Sequence, residues 1–384
     1  MQQENSTASR LALVIGAGLG GACSAYALAQ NGWQVQVIDA AALPAQGASA
    51  LPVGLMAAPK SGGKSSGKTA PTHTPDWDGA GMACTLRWLE AFSALGLLQP
   101  GQDWQRCGTA HNTLWAKNPA AQTAADTDSD SPSSPWLWQD DACWVKPQRL
   151  VAACLAHPAI ACAWQAHITQ LIPPSGAQGL WQVQAADGRA WQASAVVLAA
   201  SVGSLALLQG LPLGAVRSVL WRLQTKQILR AVAGQAIYAP WQRAWNALLP
   251  MAAQTQGAPH ACNGHGHFLP AIPEADGAFW LSGASYVEDT DAQAANTKAG
   301  QLENQQRLAE LLPTFAPILA QQVQQGQIRR FIGLRCTTPT RLPELAQPLP
   351  GLWLQTGFGS RGLSHAPLAA EFLAAQLLRI KADR

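Results

Sequence analysis

Leu11-Ala12-Leu13-Val14-Ile15-Gly16-Ala17-Gly18-Leu19-Gly20-Gly21 passes from an apolar run of strand length straight into a glycine turn. The helix-forming stretch Ala22 to Gln30 follows, Gly32 stops it, and Val35-Gln36-Val37-Ile38-Asp39 reads as a second strand ending in an acid. Glycines in this G-x-G-x-x-G spacing between two strands form the dinucleotide-binding fingerprint. Gly16 permits the tight turn, Gly18 lets backbone approach a pyrophosphate, and Gly21 lets helix and strand pack closely. Leu19 belongs to the same turn, where the free N–H groups and dipole at the helix start favour phosphates. Asp39, about twenty residues on, is placed to accept hydrogen bonds from a ribose diol.

The far end of the chain carries a second strand, glycine turn and helix. Gly351-Leu352-Trp353-Leu354-Gln355-Thr356 runs into Gly357-Phe358-Gly359-Ser360-Arg361-Gly362. A helix is predicted from about Ser364 to Lys381, capped by Ser364, with Pro367 in its first turn and Leu368, Phe372, Ala375 and Leu378 toward the core. Between the two ends, Ala195-Val196-Val197-Leu198-Ala199-Ala200 reads as a central parallel strand. Trp181 to Ala185 and Ala190 to Ala193 read as a hairpin about Asp187-Gly188. Helical spacing is found over 82–98, with Leu86, Leu89, Phe92 and Leu95 on one side, and over 148–157 and 293–312; residues 327–334 are strand-like. Residues 214–283 alternate short β-like runs with turns.

Composition bounds the remaining choices. The 384 residues are 48% hydrophobic and 12% charged with a net charge of +3, which fits a soluble globular protein and neither demands nor excludes a polyanionic partner. None of the eight cysteines forms a C-x-x-C pair, so no metal site is expected and the thiols read as buried or half-buried groups of a reducing cytosol. The polar start Met1 to Arg10 is not a signal peptide, and the apolar stretch Ala195 to Val216 is broken by Ser, Gly and Pro, so no membrane contact and a cytoplasmic location are expected.

Segments of one nucleotide domain at both ends and near residue 198 imply an α/β fold. It is a Rossmann-type cofactor domain built from separated segments with an inserted α+β substrate domain. The expected boundaries are 1–60, 140–212 and 330–384 for the first, 82–139 and 213–329 for the second, and mobile loops at 61–81 and 116–136.

These residues resemble the FAD-dependent amine oxidases of the D-amino acid oxidase superfamily, and within it the FAD oxidase modules of bifunctional tRNA 5-methylaminomethyl-2-thiouridine biosynthesis. The likeness rests on the fingerprint with Asp39, on Gly47-Ala48-Ser49-Ala50-Leu51-Pro52-Val53-Gly54-Leu55, on His73-Thr74-Pro75-Asp76-Trp77-Asp78, and on Leu334-Arg335-Cys336-Thr337-Thr338-Pro339. Most specific is Gly357-Phe358-Gly359-Ser360-Arg361-Gly362-Leu363 with Ala366-Pro367-Leu368-Ala369. Departures are Leu51 for the family's Asn, Met56-Ala57-Ala58-Pro59 near the flavin, and the absence of a methyltransferase half.

The resemblance implies an extended FAD, with Ala48 and Ser49 along the isoalloxazine and Gly357, Gly359, Ser360, Gly362 and Leu363 at its N1/C2=O edge. It also implies oxidation of a secondary amine. The substrate would be 5-carboxymethylaminomethyl-2-thiouridine at the tRNA wobble position, with a separate methyltransferase as partner; the alternative is free glycine or a D-amino acid. Arg335 has two readings, a catalytic clamp on a substrate carboxylate or a structural ion pair. Arg361 has the same two, with cofactor phosphate as a third. His73, Asp76 and Asp78 read as a substrate rim or a solvated loop, and His265 and His267 as an exposed turn. Trp77, Trp104 and Trp164 read as core filler or base-stacking platforms, and Arg217, Arg222, Lys226, Arg230, Arg329 and Arg330 as phosphate contacts or a solvated face.

Overall fold

The computed structural model describes residues 10–57, 77–112, 136–176, 179–212, 217, 220, 229–250 and 260–382. In chain order its elements begin with β1 (Leu11–Ile15), α1 (Leu19–Gln30), β2 (Gln34–Ile38), β3 (Gly54–Ala57), α2 (Trp77–Ala94), β4 (Trp104–Arg106) and β5 (Thr109–Asn112). Then come β6 (Trp136–Gln139), β7 (Ala142–Val145), α3 (Pro147–Leu155), β8 (Ile160–Ala163), β9 (Ile168–Ile172), β10 (Trp181–Ala185), β11 (Ala190–Ala193), β12 (Ala195–Leu198) and α4 (Gly203–Gln209). The chain continues through β13 (Arg230–Pro240), β14 (Ala261–Gly264), β15 (Gly266–Glu274), β16 (Gly277–Glu288), α5 (Lys298–Leu311) and α6 (Ala316–Gln324). It closes with β17 (Arg329–Thr337), β18 (Glu344–Leu349), β19 (Leu352–Thr356) and α7 (Gly362–Ala382).

A six-stranded sheet in the order β18-β19-β12-β1-β2-β8 is parallel except at the β18 edge. Both of its faces are covered, as a central parallel strand requires. Along β1, Ala12 and Val14 pack into the layer of α1, α2, α3 and α7, while Leu13 and Ile15 pack against β9, β10 and the buried Trp181. The hairpin of β10 and β11 turns at Asp187-Gly188, where Gly188 has φ 89°. A second sheet, β17-β13-β16-β15-β14-β5-β6, is antiparallel apart from the β14–β5 pair. It closes against α5 and α6 over an aromatic cluster of Trp241, Phe268, Trp280 and Phe315. β3, β7 and β4 form a small third sheet.

Several expectations are corrected. α1 begins at Leu19, so Gly21 of the fingerprint and its neighbour Gly20 are helical. α2 begins at Trp77, inside the stretch expected to be a mobile loop, and Trp136 starts a strand; residues 61–76 and 116–135 lie outside the described residues. Leu95 is 68% exposed because α2 ends before it. Residues 203–209, within the stretch broken by Ser, Gly and Pro, form α4. The middle of the chain makes long strands of nine to twelve residues (β13, β15 and β16), in which Pro270 and Gly283 fall at register shifts and do not break the strand. α5 starts at Lys298 because Thr297 caps it, Oγ1 accepting from Gly300 N at 2.9 Å.

The last helix departs most. α7 starts at Gly362, so Ser364 lies inside it, and its buried face is Ala366, Ala369, Ala370, Leu373, Ala374 and Leu377. Phe372 and Leu378, expected inside, are 40% and 37% exposed. Close helix packing selects the alanine stripe: a Cβ on Gly81 of α2 would come 2.4 Å from Ser364 O, which leaves no room for a large side chain there.

Candidate active site

The glycine turn after β1 is built as its sequence dictates. Gly16 has φ 106°, and a Cβ there would lie 2.6 Å from Ala199 O of the neighbouring strand end. A Cβ on Gly21 would fall 1.8 Å from Gly16 O, so this glycine closes helix onto turn. Asp39 accepts from Ala17 N at 2.6 Å and from Ala41 N at 2.8 Å, tying the turn to the end of β2 while staying half-buried. Ser49 is drawn in from the following segment, and its Oγ accepts from Leu19 N at 3.0 Å, a cap for α1 supplied from thirty residues away.

The second glycine turn comes to the same place. Gly357 and Gly359 have φ 79° and 54°. Gly359 N donates to Cys336 O at 2.8 Å, which stitches the turn to β17 and sets Arg335 beside it. Phe358 lies so close to α1 that a Cβ on Gly20 would be 2.9 Å from its ring. One cavity of about 1060 Å³ runs from Asp39 to Arg335. It is lined by Gly16, Gly18, Leu19, Asp39, Ala48 and Ser49 at one side, and by Gly357, Gly359, Ser360, Arg361, Gly362, Leu363 and Arg335 at the other. Of the residues expected to hold cofactor or clamp substrate, Gly21 alone stays outside the lining, where its part is packing.

The two arginines separate. Arg361 Nη1 bonds both oxygens of Asp78 at 2.7 Å, and the same carboxylate meets Nε2 of the fully buried His365 at 3.0 Å. This cluster joins the first turns of α2 and α7, so the structural reading holds for the Arg361 head group, and Asp78 is neither a solvated residue nor a free rim. His73 and Asp76 lie outside the described residues. Arg335 Nη1 donates to Tyr286 Oη at 2.8 Å, and among the described residues it pairs with no carboxylate.

Sequence reading missed Tyr286, Asn263 and His267, which also line the cavity. His267 is no exposed turn: burial, and then the charge of Arg335, holds its pKa down to about 4, so the ring is neutral near pH 7. Trp104 is buried, and Trp77 packs on His365 and Phe372 at ring distances of 5.8 Å, so these two are filler. Arg230 pairs with Glu288 at 2.9 Å, while Arg222 and Lys226 lie outside the described residues. All eight cysteines are free thiols. Among the described residues no helix is long and apolar enough to cross a membrane.

A family model described as FAD dependent oxidoreductase matches residues 12–376. The chain belongs to this family. Among curated relatives, the tRNA 5-methylaminomethyl-2-thiouridine biosynthesis bifunctional protein MnmC of Polaromonas naphthalenivorans is 36% identical over 95% of this chain and 56% of its own length. The protein of that name from Delftia acidovorans is 33% identical over 98% of this chain and 59% of its own. The chain therefore spans less than two thirds of the length of these relatives. Among solved structures, iminodiacetate oxidase from Chelativorans sp. matches with TM-score 0.66 and 19% identity over 96% of this chain and 95% of that one. Glycine oxidase from Geobacillus kaustophilus matches with TM-score 0.66 and 15% identity over 97% and 95%.

FAD is the cofactor of this family, and the residues fit it. The cavity floor at Gly16 and Gly18 and its far wall at Gly357 and Gly359 are bare backbone. The first residues of both α1 and α7 line it, so two helix N-termini face one space, as an anionic diphosphate and an electron-rich ring require. The half-exposed Asp39, at the end of β2, is the residue that would accept from a ribose.

Proposed function

We propose that this chain oxidises the C–N bond of a secondary amine, removing the carboxymethyl group of 5-carboxymethylaminomethyl-2-thiouridine at the tRNA wobble position. The observation that carries the reading is Arg335, a guanidinium in the cavity wall whose partner among the described residues is a hydroxyl and not an acid. Such a group selects a substrate carboxylate. Because Tyr286 Oη accepts from Arg335, its own proton is free to donate to that carboxylate. His267 stays neutral and leaves Arg335 as the cation.

Bound FAD supplies the two-electron acceptor for the carbon between nitrogen and carboxylate. The chain's part is to fix that carbon by its carboxylate and to line the site with backbone and neutral side chains. Water then hydrolyses the imine to glyoxylate and the aminomethyl nucleoside. The relatives' names support tRNA as the carrier. The product is a primary amine, the group that a methyltransferase would accept.

The test is anaerobic mixing of the yellow protein with tRNA bearing the carboxymethylaminomethyl group, with glycine and with D-amino acids. Flavin bleaching and glyoxylate release with tRNA, falling steeply as salt rises, are expected. Bleaching by the free amino acids alone would replace this reading with an amino acid oxidase.

A further inference from the structure

Tyr286 is a large aromatic side chain left 49% exposed where the cavity wall meets the surface. It stands on β16 opposite Gly234 of β13, and Gly234 in turn faces Gly333 of β17. Gly234 puts no side chain beneath the ring, to which a Cβ there would come within 3.4 Å, while Gly333 beyond it is covered by the ring of Phe331. The phenol therefore rests on peptide. Its hydroxyl is held by Arg335 Nη1 at 2.8 Å, and the guanidinium carbon stands 5.0 Å from the ring centroid. Support by backbone and a fixed hydroxyl orient the ring, yet about half of it stays open.

We propose that Tyr286 seats the pyrimidine ring that carries the reacting amine, stacked on the phenol while Arg335 holds the carboxylate at the far end of the same arm. This rests on the function proposed above. Four single bonds separate the ring carbon of a carboxymethylaminomethyl pyrimidine from its carboxylate carbon, a reach of about 5 Å when extended. The guanidinium carbon stands 5.0 Å from the phenol centroid, close enough for one such arm to run from a ring laid on the phenol to the guanidinium. Free glycine reaches Arg335 and brings nothing to lay on Tyr286. The platform thus supplies selectivity for a base-bearing substrate, and stacking does so without needing any particular hydrogen-bond pattern on the base.

The experiment compares wild type, Tyr286→Leu and Tyr286→Phe as FAD-loaded proteins, each checked for unchanged flavin absorbance. Two ligands are used: the 5-carboxymethylaminomethyl-2-thiouridine nucleoside and the ringless N-methylglycine, the latter followed as substrate or as competitor of the nucleoside. The readout is the ratio of their KM or Ki values, in which any loss through the Tyr286–Arg335 bond cancels. In Tyr286→Leu the preference for the nucleoside is expected to fall about 5- to 150-fold. In Tyr286→Phe, which keeps the ring face, it is expected to hold. An unchanged ratio in Tyr286→Leu, or an equal fall in Tyr286→Phe, overturns the platform while leaving the function reading intact. Wild-type flavin that neither the nucleoside nor tRNA reduces overturns the function reading itself, and the platform with it.

Discussion

Replacing Thr85 of α2 by Val tests how the last helix is held against the cofactor cavity. Pro367 sits inside α7, so it has no N–H for the carbonyl of Leu363, four residues earlier. That carbonyl is buried, and Thr85 Oγ1 reaches it from α2 at 2.8 Å. The hydroxyl supplies from another helix the donor that proline removed. Thr85→Val keeps the side-chain shape and deletes the donor, leaving a buried acceptor unsatisfied, which costs about 1–3 kcal/mol. Pro367→Ala restores an N–H in the right place, so in that background Thr85→Val costs at least about 1 kcal/mol less. The assay is urea unfolding of the four proteins of this double-mutant cycle at one fixed FAD concentration, with slopes compared so that midpoints report stability. Costs of Thr85→Val that agree within about 0.5 kcal/mol in the two backgrounds mean additivity and refute the donor exchange.

Three further outcomes follow from the same coordinates. Gly16→Ala meets both a positive φ and Ala199 O at 2.6 Å, whereas a Cβ on Gly176, away from the cavity, has nothing within 4 Å; Gly16→Ala should purify colourless and Gly176→Ala yellow, read as flavin absorbance per mole of protein, and equal colour in both would contradict the geometry. His267 has its pKa lowered from 6.5 to about 4 in the fold, so the unfolded chain takes up its proton first as pH falls. Its contribution is present above pH 6.5 and is lost between about 6.5 and 4, up to about 3 kcal/mol; His267→Gln should flatten the fall of the urea midpoint across that window, and an unchanged slope sinks the assignment. Burial pushes the Cys84 and Cys107 thiols up to about 12, and seven of the eight thiols are buried with Cys162 half-buried. Iodoacetamide at pH 8 should therefore alkylate Cys162 first, and mass mapping that finds Cys84 modified at the same rate would show α2 opening.

Local sequence carried the backbone chemistry of the cofactor end. Gly16, Gly18 and Gly21 had to be glycines for reasons of φ and contact that operate within a few residues, and Asp39 follows a short strand, so spacing alone located them. The continuous apolar run 195–198 announced a strand covered on both faces, since nothing polar could sit there. The opposite end of the cavity was legible only as Arg335, and even its partner was not. Tyr286, His267 and Arg335 lie on three different strands of one antiparallel sheet, and no spacing along the chain encodes register between strands.

The same distinction explains the last helix. Its existence followed from composition, but its buried face did not, because the largest apolar residues are the wrong guide where two helices approach as closely as Gly81 and Ser364 do. The roles of Asp78, Thr85 and Ser49 likewise depend on groups reached across 283, 278 and 30 residues of chain. Sequence alone determined the class of cofactor and which glycines shape the turn after β1, because backbone conformation is a local property. The tertiary structure alone decided which side chains line the cavity, because side-chain partnership depends on distance in space, and distance along the chain says nothing about it.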